Sequence, residues 1–256
     1  MITNDRELDT QRSVPRSSPN SNSSSRLKGI IFDMDGTLTS TLPLIVHCVN
    51  EISELYLDRK MTLDQVIGTF GPPAREIVRR LTSPLGDSES RRAVDDYYEC
   101  YKRELPHRVL LFPGIEDLLH RLRESGKHLA VFTGVERKLM DLTLDNFHLR
   151  QYFQTLVAGD DITRPKPDPE GVQLALNKLK LQPAEALMIG DSPNDINAGK
   201  QAGVATAAAI WSPEGRGDPT TAGPDYTFRS VRELSDFFFP PEKKEEPGFY
   251  FSETLR

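Results

Sequence analysis

Apolar residues along this 256-residue chain recur in two rhythms, and the switch between them divides it. Short unbroken runs such as Ile30-Ile31-Phe32 and Leu129-Ala130-Val131-Phe132 have the length and composition of strands buried on both faces. They predict strands over residues 28–32, 128–132, 155–158, 186–189 and 204–209, with an edge strand over 226–228. Between them, apolar residues at three- and four-residue spacing predict helices over 115–125, 136–146, 170–179, 195–202 and 231–238. Gly126 and Gly203 stand just past two of these helices, where glycine is favoured, and Asp168-Pro169 reads as an N-cap with proline in the first turn. Strand and helix alternating in this way predict an α/β fold built on a doubly wound parallel sheet.

One stretch breaks the alternation. Ile45, Val49, Ile52 and Tyr56 form one helical stripe, Ile77 and Leu81 a second, and Val94, Tyr98, Tyr101 and Leu105 a third. Thr62-Leu63-Asp64-Gln65 fits a capping box, and Pro73 suits a helix first turn. The expected organisation is an α/β core of residues 27–40 and 108–239 with an all-helical cap, residues 41–107, inserted after the first strand. Residues 1–26, rich in Ser, Asn, Arg and Pro, are expected to be a flexible tail. Residues 240–256 read as a second tail, in which Phe249-Tyr250-Phe251 is unusual for disorder.

Composition narrows the function classes. A net charge of −6 offers no basic patch for nucleic acid. No run approaches the roughly 20 apolar residues of a membrane span, and the N-terminus has neither a signal-peptide core nor, with Asp5, Glu7 and Asp9, a transit-peptide composition. The expectation is a cytoplasmic protein without nucleic-acid or membrane partners; nothing sets an oligomeric state. Cys48 and Cys100 leave a disulfide open, though two buried thiols in a reducing compartment is the first reading.

The chemistry-bearing residues sit at strand ends. Asp33 and Asp35 follow the first strand, Thr133 and Gly134 the second, Lys166 lies in the loop after the third, and Asp191 and Asp195 follow the fourth. In a parallel sheet these ends share one edge, where ligands bind. Neighbouring carboxylates repel unless a cation or a proton lies between them, so Asp33-Met34-Asp35-Gly36-Thr37 points to a metal or phosphate site, with an ordinary acidic turn as the alternative.

These elements together resemble a known family. Asp33-Met34-Asp35-Gly36-Thr37-Leu38, Thr133, Arg164-Pro165-Lys166-Pro167-Asp168-Pro169 and Gly190-Asp191-Ser192-Pro193-Asn194-Asp195 are similar to the motifs of the haloacid dehalogenase (HAD) superfamily. The likeness spans roughly residues 28–239 and is greatest to the phosphoglycolate phosphatase-like branch with a helical cap. It implies a Rossmann-like core and a Mg²⁺-dependent phosphatase that hydrolyses a small phosphorylated metabolite through an aspartyl-phosphate. Asp33 would then be the nucleophile and Asp35 the general acid and later base, while Lys166 would neutralise charge. Thr133 and Gly134 would hold phosphoryl oxygens. Asp33, the main-chain carbonyl of Asp35 and Asp191 would bind Mg²⁺, with Asp195 near the metal, orienting a metal water or Lys166.

Ser40 and Gly134 depart from the acidic residue and the Asn that this branch often carries, which leaves substrate orientation open. Arg75, Arg79 and Arg80 read either as a solvated helix face or, for Arg75 with the Gly71 loop, as a reader of the substrate's far end. His47, His107, His120, His128 and His148 show no metal spacing, and Trp211 reads as packing. A phosphosugar mutase is the nearest alternative, disfavoured by Gly190 before Asp191. A dehalogenase, which does not need Asp35, is also disfavoured, and a non-catalytic module on the same fold is the rival from another class. Phosphoglycolate, pyrophosphate, a sugar phosphate and a nucleotide all stay open as substrates.

Overall fold

The computed structural model describes residues 21–70, 72–213 and 217–241. Gly71 and the aromatic Phe249-Tyr250-Phe251 lie outside the described residues. The chain begins with a short helix α1 (Ser21–Arg26), strand β1 (Gly29–Phe32) and the two-residue strand β2 (Thr39–Ser40). Four helices follow, α2 (Leu42–Leu57), α3 (Leu63–Ile67), α4 (Ala74–Thr82) and α5 (Asp87–Arg108), before the two-residue strand β3 (Leu110–Leu111). Then come α6 (Ile115–Glu124), β4 (His128–Phe132), α7 (Arg137–Asn146), β5 (Thr155–Val157), α8 (Glu170–Leu179), β6 (Ala186–Gly190), α9 (Pro193–Ala202), β7 (Ala205–Ala209), β8 (Tyr226–Phe228) and α10 (Val231–Phe238).

The main sheet is six-stranded and parallel, in the order β5-β4-β1-β6-β7-β8. This is the doubly wound α/β arrangement that the alternating pattern predicts. Side chains alternate across it as a pleated strand requires. Ile30, Phe32, Leu129, Val131, Leu187 and Ile189 pack on one face with Leu118, Leu122, Leu144 and Leu234. Ile31, Ala130, Phe132 and Met188 pack on the other with Val172, Leu176 and Ala198. A sheet covered on both faces needs strands that are apolar at every position, which explains why these strands read as unbroken runs.

Register decides where the chemistry goes. Phe32 of β1 pairs with Val131 of β4 and with Ile189 of β6. The residues that follow, Asp33, Thr133 and Asp191, therefore emerge at one edge. Backbone bonds from Asp33 to Ile189 (2.8 Å) and from Thr133 to Val157 (3.0 Å) extend the ladder to that rim.

The four helices α2–α5 enclose their own core of Leu44, Cys48, Val49, Ile52, Val78, Val94, Tyr97 and Tyr101, which also takes in Leu139 from α7. The Thr62 capping box is present in full, Thr62 Oγ1 accepting from Gln65 N and Gln65 Oε1 from Thr62 N. Where the chain enters and leaves this insert, β2 and β3 pair antiparallel, a ribbon the sequence did not announce because two residues carry no periodicity.

Several element ends differ from expectation by one residue, and three differences have a clear physical reason. Residues 21–26 are helical rather than tail, tied down where Lys127 Nζ donates to the carbonyls of Ser24 and Leu27. Helix α9 starts at Pro193, not Asp195, because Ser192 caps it and proline suits a first helical position. Asp168 lies one residue outside the cap of α8, its carboxylate accepting from Glu170 N at 3.0 Å. Among the described residues no helix is long and apolar enough to cross a membrane.

Candidate active site

The loop after β1 is wound tightly. Leu38 N and Thr39 N both donate to Met34 O, at 2.8 and 3.0 Å, and Gly36 N donates to Thr39 O at 2.7 Å. Gly36 sits at φ +87°, a conformation glycine adopts without penalty, and a Cβ there would collide with the Asp191 carboxylate. Gly190 is needed for the same kind of reason: a Cβ would run into Asp195. Two glycines thus clear the space into which two aspartates fit. Trp211 Nε1 donates to Thr37 O at 3.1 Å, so that side chain anchors the loop from the end of β7.

Asp33, Asp35, Asp191 and Asp195 are all buried, and oxygens of Asp33, Asp191 and Asp195 lie within 4.8 Å of one another. Lys166 reaches into this group from the loop after β5, through a cis Lys166–Pro167 peptide. Its Nζ donates to Asp33 Oδ1 and to Asp195 Oδ1, each at 2.6 Å, and to Phe132 O at 3.1 Å, and it sits 4.7 Å from the Phe132 ring centroid. The other oxygen of Asp195 accepts from Ser192 N at 3.1 Å and Ser192 Oγ at 2.6 Å. Asp195 is thereby committed to holding Lys166 and the start of α9.

Burial pushes the Asp33 carboxyl up to about 7; Lys166 pulls it back and Asp195 adds to the rise. For Lys166 burial works against the charge, but Asp195 and Asp33 overcome it and hold the ammonium above its ordinary range. Asp33, Asp191 and Asp195 bring hard oxygen donors within 4.8 Å of one another. That donor set matches a divalent cation such as Mg²⁺.

A cavity of about 420 Å³ opens over these residues, its floor at the strand ends and its far wall on the helical insert. Asp33, Asp35, Thr133, Gly134, Lys166, Asp191 and Asp195 all line it. Thr133 is buried, its Oγ1 accepting from Val135 N at 3.2 Å. Arg75 is apart from this group. Its side chain is 45% exposed and its Nε lies 4.0 Å from Glu136 Oε1, and it is not among the residues lining the cavity.

Residues 30–209 match the haloacid dehalogenase-like hydrolase family, and the chain belongs to that family. The pyrophosphatase PpaX of Bacillus velezensis is 30% identical over 210 residues, 82% of this chain and 95% of that protein. PpaX of Halalkalibacterium halodurans is 33% identical over 211 residues, 81% and 94% of the two chains. The crystal structure of CbbY from Rhodobacter sphaeroides in complex with phosphate superposes with a TM-score of 0.71 at 27% identity, covering 81% of this chain and 96% of that one.

Glu136 stands at the start of a predicted helix with no motif around it. This buried residue follows the Thr133 loop, yet its carboxylate accepts from the backbone N–H of Arg75 at 2.8 Å and from the Tyr98 hydroxyl, tying the core to α4 and α5. Nothing local signals this, because a glutamate at the start of a helix is an ordinary first-turn acid. Ser192 was legible in principle, as a serine three residues before Asp195 is a capping-box spacing.

Proposed function

We propose that the protein is a Mg²⁺-dependent phosphatase that hydrolyses a small phosphorylated metabolite through an aspartyl-phosphate on Asp33. The observation that carries this is the buried carboxylate group of Asp33, Asp191 and Asp195, with Lys166 donating to Asp33 and Asp195. The family relationship and the naming of relatives as pyrophosphatases support the same chemistry.

In this reading Asp33, the main-chain carbonyl of Asp35 and Asp191 would hold Mg²⁺, which when bound would supply positive charge beside the phosphoryl oxygens. A carboxylate oxygen of Asp33 forms a bond to phosphorus while the ester P–O bond breaks. Asp35 gives its proton to the departing oxygen. Water, deprotonated by Asp35, then attacks phosphorus, releasing inorganic phosphate and restoring both carboxyls. Thr133 Oγ1 and Gly134 N–H hold the equatorial oxygens, and Lys166, fixed by Asp195, balances their charge. Helices α2–α5 act as the cap that excludes water.

Phosphate release from a panel of monoesters by Mg²⁺-loaded protein tests this. The expected outcome is turnover that a chelator removes and that Asp33→Asn lowers by about 10⁴-fold or more, the scale of losing a nucleophile. No release from any member of the panel, from protein with native circular dichroism, would refute it.

A further inference from the structure

A second cluster of metal-ligating side chains lies away from the catalytic carboxylates, where α2 and α5 pack together in the helical insert. It joins His47 and Glu51 of α2 with Cys100 of α5, and one ligand atom from each lies within 4.8 Å of the other two. His47 and Glu51 are four residues apart and share a helix face. The third member comes from another helix, so the spacing of the histidines along the chain gives no sign of it. His47 Nε2 is buried and has no hydrogen-bond partner among the described residues, although Glu51 Oε2 is 3.4 Å away. A tetrahedral zinc with bonds of about 2.1 Å to nitrogen and oxygen sets its ligands about 3.4 Å apart.

The surroundings suit such an ion. Glu104 Oε2, one turn beyond Cys100, lies 3.8 Å from His47 Nε2, and the Cys48 sulfur lies 2.6 Å from that of Cys100. Two arginines share the cluster: Arg103 donates to Glu51 Oε2 at 2.6 Å and to Glu104 Oε1 at 3.1 Å, and Arg108 donates to Glu104 Oε2 at 2.8 Å. The Arg103 side chain is 54% exposed, so its ion pairs are weak and a divalent cation can displace it into water. A carboxylate has lone pairs enough to bind a cation and keep one arginine. A cavity of about 390 Å³ opens on His47 and Glu51, giving an ion a way in, while both thiols stay buried behind them.

We infer that His47, Glu51 and Cys100 form a Zn²⁺ site in the helical insert, separate from the catalytic carboxylates. Imidazole, carboxylate and thiolate together favour this borderline-soft ion over Mg²⁺, which prefers oxygen donors. On binding, the Cys100 S–H bond breaks, its proton passes to water and a zinc–sulfur bond forms. The Cys48 thiol then donates to the Cys100 sulfur, an outer hydrogen bond of the kind that steadies a metal ligand. Glu104 or a water completes the tetrahedron. The ion ties α2 to α5, whose Ile45, Val49, Tyr97 and Tyr101 line the catalytic cavity, and so stiffens the wall of that cavity.

Co²⁺, a spectroscopic stand-in for Zn²⁺, tests this when titrated into full-length protein saturated with Mg²⁺ and kept reduced by a phosphine. Thiolate-to-cobalt charge transfer absorbs strongly in the near ultraviolet, and no cysteine lines the catalytic cavity among the described residues, so the band reports the proposed site alone. The expected result is a saturable band that added Zn²⁺ removes. Cys100→Ser should abolish it, His47→Ala should weaken Co²⁺ binding by about 100-fold or more, and Asp191→Asn should leave both band and affinity unchanged. Zn²⁺ should also raise the Tm of the Mg²⁺-saturated native protein and not that of His47→Ala. His47 is only partly buried, so that variant decides the matter should Cys100→Ser fail to fold. A missing band, a band that persists in Cys100→Ser, or Co²⁺ affinity unchanged in His47→Ala overturns the assignment. Loss of the band in Asp191→Asn overturns it as well.

Discussion

The carboxylate of Glu136 accepts a 2.8 Å hydrogen bond from the backbone N–H of Arg75. A residue just past the Thr133 loop thereby grips the first turn of a helix in the insert. The Tyr98 hydroxyl donates to the second oxygen, so one buried carboxylate fastens two insert helices to the core. Glu136→Ala would leave both part-buried donors without their acceptor, at up to about 1–3 kcal/mol for each. The expected result is a loss of roughly 5–10 °C in Tm, together with a KM that rises more than kcat falls. Tyr98→Phe should show the smaller part of both effects. Thermal unfolding and steady-state kinetics on the two variants check this.

Mg²⁺ should stabilise the folded chain, because the close packing of Asp33 and Asp191 exists only in the native state. At a free concentration about 100 times Kd, the gain is about 2.7 kcal/mol. Calorimetric scans with and without Mg²⁺ should therefore differ by several degrees in the native sequence. Asp191→Asn should abolish that difference.

Lys166→Met removes the ammonium that lies 2.6 Å from both Asp33 and Asp195. Its side chain is only 11% exposed, so the carboxylates left behind gain little help from solvent. Breaking a buried pair by deleting one partner costs about 3–5 kcal/mol. Denaturant midpoints should fall accordingly, and added Mg²⁺ should recover more stability in this variant than in the native protein.

Cys48 on α2 and Cys100 on α5 are buried free thiols with their sulfurs 2.6 Å apart. The Cys100 hydrogen bond first, and then burial, hold the Cys48 thiol far above its usual range. The folded protein therefore keeps a proton that the unfolded chain releases above a pH of about 8.5. Stability from this site is fully present below that pH and falls as pH rises beyond it. A thiol reagent at pH 8 should react slowly with native protein and count two thiols after unfolding. Cys48→Ala should flatten the alkaline fall in Tm.

The core was legible in the sequence for a physical reason. A sheet buried on both faces demands unbroken apolar strands, and the helices that cover it demand a stripe every three to four residues, so Ile30-Ile31-Phe32 and the helix over 170–179 declare themselves locally. The capping box at Thr62 is local too, and it is present as the spacing predicts. The ends of elements were harder, since Ser192-Pro193 and Asp168-Pro169 each offer competing cap positions within two residues.

The sequence alone determined which side chains stand at strand ends, because that depends on the order of residues along one chain. Tertiary structure decided what those ends meet: the equal register of β1, β4 and β6 gathers Asp33, Thr133 and Asp191 at one rim, and Lys166 arrives from a loop far along the chain. It also decided that Glu136 faces Arg75 rather than water, and that the wall opposite the carboxylates is apolar. Such facts are distances between residues remote in sequence, and no local pattern of hydrophobicity or capping encodes them.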